Sequence, residues 1–549
     1  MRTHLLVLLP LLISSCASNE RSEDADFAPR HYPGFGAYAR EVTTTSADAQ
    51  AYFDQGLQLL YGFNHDEAIR SFRAAAQFDP DCAMTWWGIA YAHGLHVNNP
   101  EMSENQSRGA YEAAQEALTH LHGASPVEQA LVEAVSQRYA WPIPADRTSL
   151  DQAYADAMGA AWKRFPKDAD VGALYAESLM DLQPWDLWTH AGEPKGRTLE
   201  IVSVLEEVMR LRQDHPGANH FYIHAVEASR DPERAVPSAD RLVNLIPGAG
   251  HLVHMPAHIY TRVGRYADAV QANERAIAAD QTYFAMAPKP DFYSLYYVHN
   301  VHFLAYAAMM EGRYERAISA ARQLEVDIPE EFLRGYVELA DGLMGTPLHV
   351  MIRFGKWQEI LDEPPYPEFR KLSNAQRHYA RAVALAALGR TVEARAEQAA
   401  FEEWAATVPE SWKVGNNTSG EVIDLCRAMM SAEILFREGE REAAFGVLAQ
   451  GAALEDALVY DEPPGWMQPV RHAWGALLMS SQEYARAEAV YREDLAHNHE
   501  NGWSLLGLEQ SLRMQGQERE AEAAAKRRHL AWARADVEPT SSCYCEPGS

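Results

Sequence analysis

Residues 51–80 read AYFDQGLQLLYGFNHDEAIRSFRAAAQFDP. Small residues, Gly56 and Ala68, stand with Phe72 where the two helices of a hairpin would touch, and Pro80 stops the second helix. The next unit begins DCAMTWWGIAY and repeats the pattern with Trp87, Gly88 and Tyr91. A G-x-Y-x-x-A turn then recurs down the chain, as Gly264-Arg-Tyr266 to Ala269 and Gly312-Arg-Tyr314 to Ala317. Weaker copies are Gly355 to Ile360, Gly389 to Ala394, Gly439 to Ala444, Tyr484 to Ala487 and Gly516 to Ala521. Apolar residues in several segments recur every three or four positions, and no useful stretch alternates with period two, so the chain reads as helical throughout.

This repeat resembles the tetratricopeptide pattern, in which Gly56, Ala68, Phe72 and Pro80 take repeat positions 8, 20, 24 and 32. The resemblance implies an all-α solenoid, a superhelix of helix-turn-helix repeats whose A helices line the concave face. The expected organisation is tetratricopeptide-like repeats with loop insertions over 31–216, a histidine-rich central array over 217–361, further repeats over 362–534, and a polar tail over 535–549.

The amino terminus has a different character. Arg2, an apolar run from Leu5 to Ile13, and Ser14-Ser15-Cys16 have the order of a signal peptide, too short to span a bilayer as a helix. A cysteine after two small residues resembles the lipobox of bacterial lipoproteins. That resemblance implies a signal peptide over 1–15, lipidation of Cys16 and, with Ala17 following, an outer-membrane location in the cell envelope. Several acyl chains on one residue anchor stably, each buried methylene adding roughly 0.8 kcal/mol. Residues 16–30 are small, polar and acidic, as a flexible tether would be.

The formal net charge of −29 disfavours nucleic acid and anionic lipid headgroups as partners. Of the five cysteines, Cys82 and Cys426 fall inside helical patterns and read as buried free thiols. Cys543 and Cys545 form a C-x-C in the tail, read as solvated, with a weak metal or redox site as the alternative. The sequence has no G-x-S-x-G, no phosphate-cradling glycine loop and no dinucleotide fingerprint.

The chemistry-bearing residues lie between 217 and 350. Aligned on the repeat, His220, His254 and His302 fall at position 5, His224, His258 and His349 at position 9, His251 and His299 at position 2, and Glu227 at position 12. All are expected on the groove-facing stripe of A helices, where residues three or four apart lie about 5–6 Å apart and neighbouring helices about 8–10 Å apart. Imidazoles from successive repeats can therefore meet. Paired histidines at i, i+4 suit a transition metal such as zinc, copper, iron or nickel; a pocket of neutral histidines for a carboxylate or peptide is the alternative. No single ion takes all eight. Glu227 is the candidate catalytic proton acceptor, with Tyr260, Tyr297 and Tyr306 beside the substrate. Glu177 and Asp181 either face the same groove or form a solvated acidic face.

Three segments, 93–107, 183–195 and 283–297, break the period and are rich in Trp, Tyr and His; they read as loops over the groove or as caps on helix ends. The strings PGANHFYIHAVEASRDPERA, PGAGHLVHMPAHIYTRVGRYADAV and YYVHNVHFLAYAAMMEGRYERA, with LLYGFNHDEAIRSFRAAAQFDPDCAMTWWGIA, resemble a family of large bacterial tetratricopeptide proteins over about 32–361. That resemblance implies the fold and secretion and no particular activity. The sequence thus points to a cell-envelope lipoprotein whose groove carries a polyhistidine metal site, a metalloenzyme (hydrolase or oxidoreductase) acting on a small molecule; the alternative is a non-enzymatic scaffold holding a peptide or protein partner. Cys16→Ser is expected to abolish incorporation of labelled palmitate; label persisting on that variant would remove the anchor.

Overall fold

The computed structural model describes residues 29–287 and 291–543. Cys16, Cys545, the leader and most of the tether lie outside them. Helices pair into hairpins along the chain: Ala47–Tyr61 with His65–Phe78, Ser294–Met310 with Tyr314–Asp327, Lys371–Ala387 with Thr391–Ala405, and Gly502–Met514 with Glu518–Ala531. Among the described residues the only strands are the two-residue Lys413–Val414 and Asn417–Thr418. No helix there is long and apolar enough to cross a membrane. The all-α solenoid expected from the repeat is the architecture observed.

Two contacts explain why this sequence makes these hairpins. Gly56 and Gly88 both face Phe72, whose ring would lie 2.7 and 2.6 Å from a Cβ at those positions, so a side chain there would push the helices apart. Gly475 and Gly507 play the same part around Tyr491. The A-to-B turn needs a left-handed residue, supplied by Gly264, Gly312, Gly355, Gly389, Gly439 and Gly516, all with positive φ. In the first hairpin that place is held by Phe63, at a φ of 56°. The turn still closes normally, with Asn64 N donating to Leu59 O at 3.0 Å.

The array does not stay open. Trp503 Nε1 donates to Met309 O at 2.9 Å, Trp532 Nε1 to Met310 O at 3.1 Å, and Tyr266 OH to His499 O at 3.2 Å. The last repeats therefore sit on the turns of the central ones. The tail differs from the solvated segment expected. Asp536 takes Tyr314 N at 2.7 Å and Glu315 N at 3.1 Å, capping the helix Tyr314–Asp327 from outside. Ser541 and Ser542 are buried, with Ser542 Oγ 2.7 Å from Tyr491 OH and its carbonyl accepting from Arg353. Cys543 is disulfide-bonded. Cys82 and Cys426 are buried free thiols, as expected.

Glu177 and Asp181 also depart from the solvated face. Both are buried, Glu177 accepting from Tyr91 OH at 2.6 Å and Asp181 paired with the buried Arg138, because inward-turned acids need a donor or a cation once water is gone.

An Asp536→Ala variant should lose the borrowed cap and destabilise the closure by about 1 kcal/mol, read as a lowered midpoint in thermal unfolding; an unchanged midpoint would mean the tail adds nothing.

A candidate metal centre

The helix Pro216–Val226 begins with a proline, and His215 caps it by accepting Ala218 N at 3.1 Å. This sets His220 and His224 one turn apart on the inner face. The next inner helix is broken by Pro256 into Gly250–His254 and Pro256–Arg262, and His254 and His258 straddle the break. The helix Ser294–Met310 contributes His299.

Six of the eight predicted histidines gather in two sets of three: His220, His224 and His251, and His254, His258 and His299. Within each set one nitrogen from every ring lies within 4.8 Å of the others. Five of the six are buried, and His299 is half-buried. In the second set His254 Nε2 stands 2.9 Å from His258 Nε2 and 3.1 Å from His299 Nε2. A tetrahedral ion with bonds of 2.0–2.1 Å spaces its ligand nitrogens about 3.3–3.4 Å apart, so a small outward shift of the rings accommodates one.

Hydrogen bonds on the far side of each ring decide where the lone pairs point. Asn273 Nδ2 donates to Ala269 O at 2.9 Å, which turns its Oδ1 toward His254 Nδ1 at 2.7 Å. An amide oxygen only accepts, so the His254 proton sits on Nδ1 and the Nε2 lone pair is bare. His258 Nδ1 donates to Glu227 Oε2 at 2.6 Å, and His224 Nδ1 to Glu227 Oε1 at 2.7 Å. His220 Nδ1 donates to Tyr61 O at 2.7 Å. Two bare lone pairs at 2.9 Å repel unless a cation lies between them, either a proton on His258 or a metal ion. In the first set, His220 Nε2, His224 Nε2 and both nitrogens of His251 are buried without a hydrogen-bond partner. Each such nitrogen costs about 1–3 kcal/mol unless it is coordinated. Backing a ligating imidazole with a carboxylate, amide or carbonyl oxygen is the usual way a protein orients a metal-binding histidine.

Burial, and then the neighbouring rings, hold His220, His251, His254 and His299 well below the ordinary histidine value, so they offer lone pairs at neutral pH. His258 is the exception: burial pushes it down, but the Glu227 carboxylate outweighs that and raises it. Burial alone would raise Glu227; the charge of His258 and the two imidazole N–H bonds bring it down to about 2. Both oxygens of Glu227 are thus taken by imidazole N–H groups, and the carboxylate links the two sets.

The other predicted residues scatter. His302 Nδ1 binds Thr346 Oγ1 at 2.8 Å, and His349 packs against Trp466 and Tyr379; neither joins a set. Tyr260 OH turns outward to Asp240 at 2.8 Å, and Tyr297 OH bonds Asp327. Neither touches the histidines. Tyr306 lines a cavity of about 320 Å³ with Trp185, Trp188, Arg262, Tyr460 and Glu462. That cavity approaches the histidines from the Glu227 side, where Tyr460 OH lies 3.4 Å from Glu227 Oε2.

Each of the three period-breaking segments brings a ring to the first set or to Phe63 beside it, although Tyr296 stands on the first turn of the helix Ser294–Met310 and not on a loop. His96 stacks on Phe63 at 4.1 Å, Trp185 stands edge-on to His224 at 5.3 Å, and Tyr296 lies 4.4 Å from His251. Phe63 itself packs 4.5 Å from His220. Phe63 and Trp185 are both non-glycine residues at positive φ. Their contribution had a visible signal only in the loops. Asn273 and Tyr460, distant in sequence and ordinary in type, had none.

No protein-family model matches the sequence, and no curated protein matches it. Among solved structures, the chain is similar to a human IFIT1 dimer with m7Gppp-AAAA at 12% identity, over 90% of this chain and 92% of that one, with a TM-score of 0.32. It is similar to yeast Tom70 at 10% identity, over 88% and 90%, with a TM-score of 0.30. Superpositions this loose say nothing about function; the solenoid rests on the hairpins themselves.

Phe63→Gly should test the shielding ring. It relieves a left-handed strain of about 1–2 kcal/mol but removes a buried phenyl worth about 3–5 kcal/mol. The expected outcome is net destabilisation by about 2 kcal/mol in denaturant unfolding; a variant as stable as the parent would show that the ring packs for nothing.

Proposed function

We propose that this chain is a metal-binding helical-repeat protein held at the cell envelope, with its ions enclosed between the central repeats. The observation that carries the reading is the set of buried imidazole nitrogens whose opposite N–H groups are already spent on Tyr61, Glu227 and Asn273. Lone pairs so arranged suit a coordinated cation, and those of His220, His224 and His251 have no hydrogen-bond partner among the described residues. The envelope location follows from the resemblance of residues 1–16 to a lipoprotein leader. Chemistry on a small molecule is the extension of this reading, with the cavity at Tyr306 and Tyr460 as its place.

A second reading has its own observation. The helices after the central array, with Arg353 at its end, already seat a bent, non-helical segment, the chain's own Thr540–Ser542, through Gln510, Arg353 and Tyr491. A scaffold that holds peptide segments would use such contacts. A carboxylate or peptide in the central groove is less favoured, because five of the six grouped histidines are buried.

The test is elemental analysis of the mature chain purified without added metal. Near-stoichiometric transition metal, absent from a His220→Ala/His254→Ala/His258→Ala variant that retains its helical circular dichroism, supports the metal reading. Metal-free protein that captures a peptide partner supports the scaffold.

A further inference from the structure

Resting on the metal reading, we infer that the two histidine sets form one paired site for two copper(I) ions. Charge and coordination number both point this way.

The donor sets are imidazole only; among the described residues no thiolate or carboxylate joins either of them. The one carboxylate hydrogen-bonded to them is Glu227, and it serves both at once through His224 and His258. Asp461 and Glu462 lie nearby but bond elsewhere, Asp461 to Asn416 N at 2.8 Å and Glu462 to Tyr460 OH at 3.3 Å, and neither is hydrogen-bonded to a ring of the two sets. Two monovalent ions beside one carboxylate leave a single net positive charge. Two divalent ions leave three. The desolvation penalty of an ion grows with the square of its charge, about fourfold from monovalent to divalent. A buried, neutral-ligand pair therefore discriminates against zinc and iron(II) in favour of a monovalent transition ion.

The coordination number agrees. Zinc on three protein ligands ordinarily completes its shell with water. Here aromatic rings pack against the sets: Phe63 at 4.5 Å from His220, Trp185 at 5.3 Å from His224, and Phe303 at 5.2 and 5.3 Å from His254 and His258. Three imidazoles in an apolar enclosure satisfy copper(I), which is stable at three-coordination. Copper is also among the metals that imidazole donors suit. The sets adjoin, with His224 and His258 ring centres 5.8 Å apart and those of His251 and His254 5.9 Å apart, so the second ion binds in the field of the first and both depend on Glu227.

The experiment is an anaerobic titration of the full mature chain with copper(I) held by bicinchoninate, repeated with a tenfold excess of zinc. Two copper ions per chain that zinc does not displace are expected. His299→Ala, a substitution at the half-buried ligand, should reduce the count from two to one. Glu227→Gln should weaken copper binding about 10–100-fold while the helical circular dichroism is kept. Zinc that displaces copper, or a parent chain saturating at one ion, overturns the inference and leaves the metal reading standing. A chain that retains neither metal overturns both.

Discussion

Glu227 caps the carboxy-terminal end of the inner helix Pro216–Val226, buried, with one oxygen taking an N–H from that helix and the other from the next inner helix. A carboxylate in that position is tolerable only if it is fully bonded, since an isolated buried charge carries a penalty of several kcal/mol. The two imidazoles that satisfy it are thereby turned the same way, Nδ1 toward the acid and Nε2 away. Everything distinctive about the site follows from that orientation: the lone pairs of His224 and His258 are aimed into separate gatherings of three rings, and one negative charge is shared between them.

The enclosure is the second element. An open solenoid would leave these histidines in water, where their lone pairs need no further partner. Instead the last repeats fold back onto the turns of the central ones through Trp503, Trp532 and His499, and loops at His96 and Trp185, with Tyr296 at the start of its helix, cover the inner face. Two residues hold left-handed backbone conformations while placing aromatic rings there, Phe63 at a turn that six other hairpins build with glycine. Strain of this kind survives only where surrounding packing over-determines it. The array has thus been bent to wrap a polar interior, which is a different use of helical repeats from an exposed groove.

The carboxy-terminal half shows the contrasting use. It receives a bent piece of the chain's own tail, with backbone and hydroxyl groups of Ser542 bonded to Arg353, His472 and Tyr491. One fold therefore presents an enclosed imidazole-lined core at its centre and a peptide-seating surface near its end.

The repeat marks alone determined the helical hairpins, because close helix crossing demands glycine opposite an aromatic ring and the turn demands a left-handed residue, and both demands are local. The phase of the histidines likewise placed six of them on one interior, since position along an A helix dictates which way a side chain faces. What only the tertiary structure decided was the division into two sets, the exclusion of His302 and His349, the bonding of both Glu227 oxygens to imidazoles of two helices, and the outward turn of Tyr260 and Tyr297. Those outcomes depend on ångström-scale separations between helices far apart in the chain, and on partners such as Asn273 and Tyr460 that no local pattern marks. Periodicity reports direction; convergence requires the distances that packing alone supplies.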